Sequence, residues 1–184
     1  ENAVTLTNGK PDIERDLIQA LTRRYAPAPV DDRTALDEAY ATALGELVKK
    51  YPADDDIAAM YAEAWMNTMP WNYWSDGETP RPEIVPVIAA LESTIARSPR
   101  HPLALHLYIH AMEASSTPEK AEAASDTLYT LVPGSGHLVH MPAHIFWRVG
   151  RYNDAAEANV QAAKVDENYI AACNAQGFYP AMYY

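Results

Sequence analysis

Two stretches decide the fold: His101-Pro102-Leu103-Ala104-Leu105-His106-Leu107-Tyr108-Ile109-His110 and Ser135-Gly136-His137-Leu138-Val139-His140-Met141-Pro142-Ala143-His144. His106 and His110 lie four apart, as do His140 and His144, and the steps from 106 to 140 and from 110 to 144 are both 34. A fixed period of 34 marks a helix-turn-helix unit that stacks on its neighbours. Side chains four apart share one helix face, and equivalent positions of successive units lie side by side. Four imidazoles are therefore expected in one patch, two from each of two adjacent parallel helices. Such a patch can hold a transition metal.

The period extends beyond the histidines. Shifted by 34, Ala121 falls on Ala155, Ala124 on Ala158 and Pro99 on Pro133. Small residues at those positions let paired helices approach closely. Helical periodicity with conventional ends predicts helices at about 12–25, 32–51, 55–69 and 83–97, a fifth starting at Pro102, then 118–132, 136–149 and 153–165, with a further short one in 168–184. Asp31-Asp32 and Asp54-Asp55-Asp56 read as caps rather than ligands, since a helix N-terminus favours acidic side chains. Pro102 suits a first-turn position, where its missing N–H costs little. No strand is expected. The predicted fold is all-α, a right-handed superhelical solenoid of helix-turn-helix repeats forming one domain over 1–184. Its repeats fall at about 11–52, 55–101, 102–135 and 136–169, with a partial one at 170–184 and an aromatic loop inserted at 70–82.

The stretches 101–110 (with Glu113 following) and 136–145, together with Pro70-Trp71 and Gln176-Gly177-Phe178-Tyr179-Pro180, resemble a bacterial group of tetratricopeptide-repeat (TPR) proteins with histidine-rich repeats. The similarity runs over most of the chain from about residue 31. Gly150-Arg151-Tyr152 followed by Ala155 and Ala162 resembles the TPR consensus, and Pro99 and Pro133 take its terminal proline position. The resemblance implies that positions five and nine of each first helix face a concave groove. His106 and His140 take position five, His110 and His144 position nine. Carried back across the insertion, the register puts Glu63 in the row of His110 and His144, and Ala59 in the row of His106 and His140. Members of such a group continue with further repeats, so the chain reads as a fragment, or as one whose apolar end at Tyr183-Tyr184 a partner covers. The resemblance transfers no activity.

The expected metal ligands are His106, His110, His140 and His144, with Glu63 completing the shell or serving as base on metal-bound water. Imidazoles with a carboxylate suit zinc, copper, iron or nickel, whereas magnesium and calcium want oxygen ligands. Glu113 is the candidate to orient a ligand from behind. His137, three before His140, either joins the patch or caps its helix. His101 is the weakest candidate. Arg148 lies one turn from His144 and is placed to grip a carboxylate; Asn67 takes the matching position of the earlier repeat. Trp71, Tyr73 and Trp74 either overhang the groove or anchor the insertion to the body. Pro142, between His140 and His144, threatens the geometry, because a kink there would turn His140 away from His106.

Composition bounds the alternatives. A net charge of -11 argues against a nucleic-acid backbone or an anionic membrane as partner. No apolar run spans a bilayer, so a soluble chain of bacterial cytoplasm or periplasm is expected, without a choice between the two. The lone Cys173 excludes internal disulfides and is expected buried. Phosphate-binding and dinucleotide-binding fingerprints are absent, and Ser135 lacks the setting of a nucleophile elbow. Three functions stay open. The first is a binding module with a histidine-rich metal site. The second is a plain protein- or peptide-binding scaffold whose histidines touch the partner. The third is a metal-dependent hydrolase or oxidase taking a small molecule at the metal.

Overall fold

In a computed structural model, which describes residues 2–7 and 9–174, the described chain is helical. A one-turn α1 (Asn2–Thr5) precedes α2 (Asp12–Leu21), α3 (Thr34–Lys50), α4 (Asp55–Thr68), α5 (Val85–Arg97), α6 (Pro102–Met112), α7 (Glu122–Leu131), α8 (Gly136–His140), α9 (Pro142–Arg148) and α10 (Tyr152–Cys173). Among the described residues the only β-type pairing is an isolated bridge between Trp74 and Pro80. No described helix is long and apolar enough to cross a membrane.

The starts follow the expected chemistry. The Asp54 carboxylate accepts from the Ile57 N–H at 2.9 Å and caps α4. His101 caps α6 through Nδ1, which accepts from Ala104 N–H at 3.2 Å, while its Nε2 meets Asp56 at 3.1 Å. Pro102 follows at the first helical position. A histidine with both nitrogens engaged in this way holds a helix end.

From α2 onward each helix packs against the next in chain order, α8 and α9 acting together as one first helix against α10. The α4–α6 and α6–α9 contacts tie together the first helices of successive units. One core cluster runs through α4 to α9, with Ile84, Leu91, Leu105, Ile109, Leu128, Met141 and Ile145 at most 1% exposed. A smaller cluster joins α2, α3 and α4, and another sets Phe146 against Ala155 and Ala158. Alanines 121, 124, 155 and 158, the pairs separated by 34, are all buried, as close helix approach requires.

Several expectations need correction. The segment 136–149 is two helices, not one: Pro142 has no N–H for the Leu138 carbonyl, so regular bonding stops at Met141. Met141 nevertheless keeps right-handed helical angles (φ -50, ψ -40), so the chain continues in nearly the same direction. The helix beginning at Tyr152 runs on to Cys173 and absorbs the described part of the expected tail helix. Cys173 is exposed, not buried. The buried positions of α10 are Ala155, Ala158 and Ala162, and Cys173 lies roughly three turns beyond the last of them. The motif 176–180 and the apolar end at 183–184 lie outside the described residues.

The insertion at 70–82 is fastened to the body. Asp76 closes it by accepting from the N–H groups of Glu78 (2.9 Å) and Thr79 (2.7 Å). Gly77 turns at φ +82, and its carbonyl accepts from Ser116 N–H. Trp74 donates through Nε1 to the Ala111 carbonyl at 2.7 Å, and Tyr73 is buried against α4. These two aromatics anchor the loop, whereas Trp71 is 74% exposed.

Gly136 marks a tight approach between α8 and α10. A Cβ there would lie 2.0 Å from Oδ1 of Asp166 and 2.4 Å from its Cγ. Gly136→Ala must displace the Asp166 carboxylate, the outer end of a half-exposed side chain that can turn aside, so it is expected to cost no more than about 1 kcal/mol. In an Asp166→Ala background the same change is expected to be neutral or stabilising, because alanine outranks glycine in a helix by about 1 kcal/mol. Thermal melts of the four proteins measure the coupling. Equal effects in both backgrounds would show that Asp166 is not the obstacle.

A five-histidine candidate metal centre

α6 presents His106, His110 and Glu113 at intervals of four and three. The α8–α9 unit presents His137, His140 and His144 at intervals of three and four. Both spacings keep one helix face, and the two stripes meet. His106 Nε2 lies 3.0 Å from His137 Nε2, and His140 Nε2 lies 2.9 Å from His144 Nε2. Ring centroids close a pentagon: 4.8 Å from His106 to His110, 5.8 Å on to His144, 4.8 Å to His140, 6.3 Å to His137 and 5.0 Å back to His106.

Ligand atoms of His106, His110 and His137 all lie within 4.8 Å of one another. Two nitrogens bound to one tetrahedral zinc at 2.0–2.1 Å are about 3.3 Å apart, so small ring rotations bring this trio to a common ion. The groups are neutral nitrogen donors, the ligand type zinc, copper, iron and nickel accept.

Behind the rings sits an organised second layer. Glu113 accepts from His110 Nδ1 at 3.0 Å and also from His144 Nδ1. Burial works against its charge, yet these two hydrogen bonds outweigh that and hold its pKa at about 2. The carboxylate is therefore ionised and can only accept, so both partners carry their proton on Nδ1 and turn Nε2 inward. Backing of ligand histidines by a carboxylate is how metal sites fix ring orientation. On the far side, His140 Nδ1 faces Asn159 Oδ1 at 2.6 Å. Burial, followed by the neighbouring imidazoles, pushes the pKa of His106 down to about 3, and the same causes lower that of His137, although its ring has an exposed edge. Both therefore stand ready as neutral donors.

The end of α6 that places Glu113 is held by side chains that take up its C-terminal carbonyls. Arg148 donates to the carbonyls of Glu113 and, at 2.9 Å, Ser115. Trp74 holds the Ala111 carbonyl, and the Ser115 hydroxyl holds that of Met112. The guanidinium expected to grip a ligand carboxylate is thus engaged with backbone.

The arrangement departs from the expected register. His106 meets His137, one turn before His140, while His110 faces His144 as the period requires. Glu63 stands apart from the trio: it is exposed on α4, and the group it influences is Tyr40 of α3. Asn67 is likewise exposed at the end of α4. Asn159 was not singled out from the sequence. The signal for it was its place on the helix that follows His140, on the face carrying Ala155 and Ala162. Beside His140 and His144 opens a cavity of about 430 Å³, also lined by Ala143, Trp147, Tyr152 and Asn159.

No family model matches the chain, and no curated protein does. Among solved structures the chain is similar to MamA MSR-1 C2, at 12% sequence identity, over 91% of this chain and 94% of that one, with a TM-score of 0.54. MamA is TPR-like, and the likeness bears out the fold: this is an all-helical, TPR-like stack of repeats.

Proposed function

We propose that the protein is a TPR-like binding module that holds a transition metal ion on the facing stripes of α6 and α8. One observation carries this reading: three imidazoles, His106, His110 and His137, bring their ligand atoms within 4.8 Å of one another, with Glu113 orienting one of them from behind. An ordinary surface has no need of such convergence. Neutral imidazole nitrogens repel one another unless a proton or a metal lies between them. The donor set takes zinc, copper, iron or nickel, and zinc is the simplest probe.

The test is elemental analysis of full-length protein purified without chelator, beside a His106→Ala/His110→Ala variant. At least one ion per chain, with at least one fewer in the variant, is the expected result. No metal in either protein, and no shift in melting temperature when zinc is added, overturns the reading.

A plain protein-binding scaffold is the second reading. It is favoured by Trp147 and Tyr152, 64% and 63% exposed at the edge of the cavity beside His140. Isolated exposed aromatics of this size suit a contact with a protein partner.

A further inference from the structure

We propose a second metal site, formed by His140 and His144 and separate from that of His106, His110 and His137. It rests on the reading of the patch as a metal-binding surface, but a different observation carries it.

The protons of this pair are fixed by their partners. His144 Nδ1 faces the Glu113 carboxylate, which accepts only, so the proton of His144 is on Nδ1. His140 Nδ1 faces the side-chain oxygen of Asn159 at 2.6 Å. The other end of that amide donates to the Ala155 carbonyl at 2.8 Å, which establishes which end is oxygen. The proton of His140 is therefore also on Nδ1. A neutral imidazole has one N–H, so both Nε2 atoms are bare lone pairs, and they point at each other across 2.9 Å. Two lone pairs at that separation need a cation between them. Parting the rings by a few tenths of an ångström gives the roughly 3.3 Å edge of two ligands on one tetrahedral ion.

His106, His110 and His137 do not meet this requirement. His106 and His137 make their own Nε2 contact. The pentagon's two longest edges, 5.8 Å and 6.3 Å, are those that join the trio to the pair, comparable with the 6.2 Å between His110 and His137 inside the trio, so the division rests on the two short Nε2 contacts rather than on ring spacing. One tetrahedral ion cannot accept five imidazoles. The patch divides naturally into a group of three and a group of two, with Glu113 backing one member of each, His110 and His144. The pair also lines the 430 Å³ cavity with Trp147 and Tyr152, so coordination positions left free by the protein open there. This site therefore takes a borderline ion such as zinc or copper together with an external ligand.

The experiment titrates chelator-stripped, full-length protein with zinc alone and reads stoichiometry by calorimetry and elemental analysis. Wild type is expected to bind two ions in two steps, the second at least tenfold weaker because it has fewer protein ligands. His140→Gln/His144→Gln is expected to lose the weak step and keep the tight one, and His106→Gln/His137→Gln the reverse. Circular dichroism establishes that the variants fold; Asn159→Ala, which leaves all five histidines in place, is expected to weaken the second step alone. A single ion in wild type, retained in His140→Gln/His144→Gln, overturns the second site and leaves the first standing. A shared proton in place of the second ion gives that same result. No zinc in wild type overturns both.

Discussion

Ile109→Ala is expected to cost about 2–5 kcal/mol of stability, the range for deleting a fully buried branched side chain and leaving a cavity. Ile109 is 0% exposed and belongs to the cluster that joins Leu105 of its own helix and Leu128 of its own unit to Met141 and Ile145 of the next. It lies on the flank of α6 where the histidine stripe turns into the core, so it presses the helix onto the core while the half-buried His106 and His110 line the edge of that contact. In a domain whose whole stability is of the order of 5–15 kcal/mol, that loss is a large fraction. Urea unfolding measures it as a fall in midpoint at unchanged slope. Val160→Ala is the control, because Val160 is 54% exposed and surface changes stay within about 0.5 kcal/mol. A loss no larger than that of the control would mean that α6 does not carry the packing between units.

Glu113→Gln is expected to lower zinc affinity about 10–100-fold, the usual effect of removing the group behind a ligand histidine. Both carboxylate oxygens are in use, one on His110 and one on His144. Glutamine has the same shape but one acceptor and one donor end. Only one histidine can keep its Nδ1 proton on the amide oxygen. The other meets an N–H, moves its proton to Nε2, and ceases to be a ligand at that atom. Zinc-linked stabilisation is then expected to fall by about 1.4–2.7 kcal/mol, the equivalent of that affinity loss. Competition with a chromophoric chelator measures the affinity, and melts with and without zinc measure the linkage. Unchanged zinc affinity would remove Glu113 from the site.

Legibility in the sequence followed the repeat. Where the period of 34 was unbroken, from Pro102 to the middle of α10, helix order, the alanine contacts and the meeting of the histidine stripes were all readable. The steps of the stripes, 106-110-113 and 137-140-144, were equally present in the sequence, and they contain His137. A reading by positions five and nine of each unit left His137 between joining the patch and capping its helix, and the structure places it in the patch. The register also assumed that units stack without offset, whereas α8 sits one turn along from that frame, which pairs His106 with His137. Glu63 was reached by counting backwards through an insertion of unknown path, and a count through such a loop has no physical anchor. Arg148 has the sequence signature of a ligand-gripping side chain; only the placement of the end of α6 beneath it reveals its backbone partners. Cys173 followed a composition rule that fails where a helix outruns the surface it packs on.

The interruption at Pro142 has a kinetic consequence. α8 is five residues long and closes few hydrogen bonds of its own, yet it carries His137 and His140. Short segments of this kind open locally far more often than a whole domain unfolds. For the proposed metal site, entry and escape of an ion are then expected to require only the turn that carries His137 and His140 to lift, with α6 and α9 in place. Exchange with a chelator is expected to follow the frequency of that opening, and hydrogen exchange at the amides of residues 137–140 is expected to slow when zinc is added.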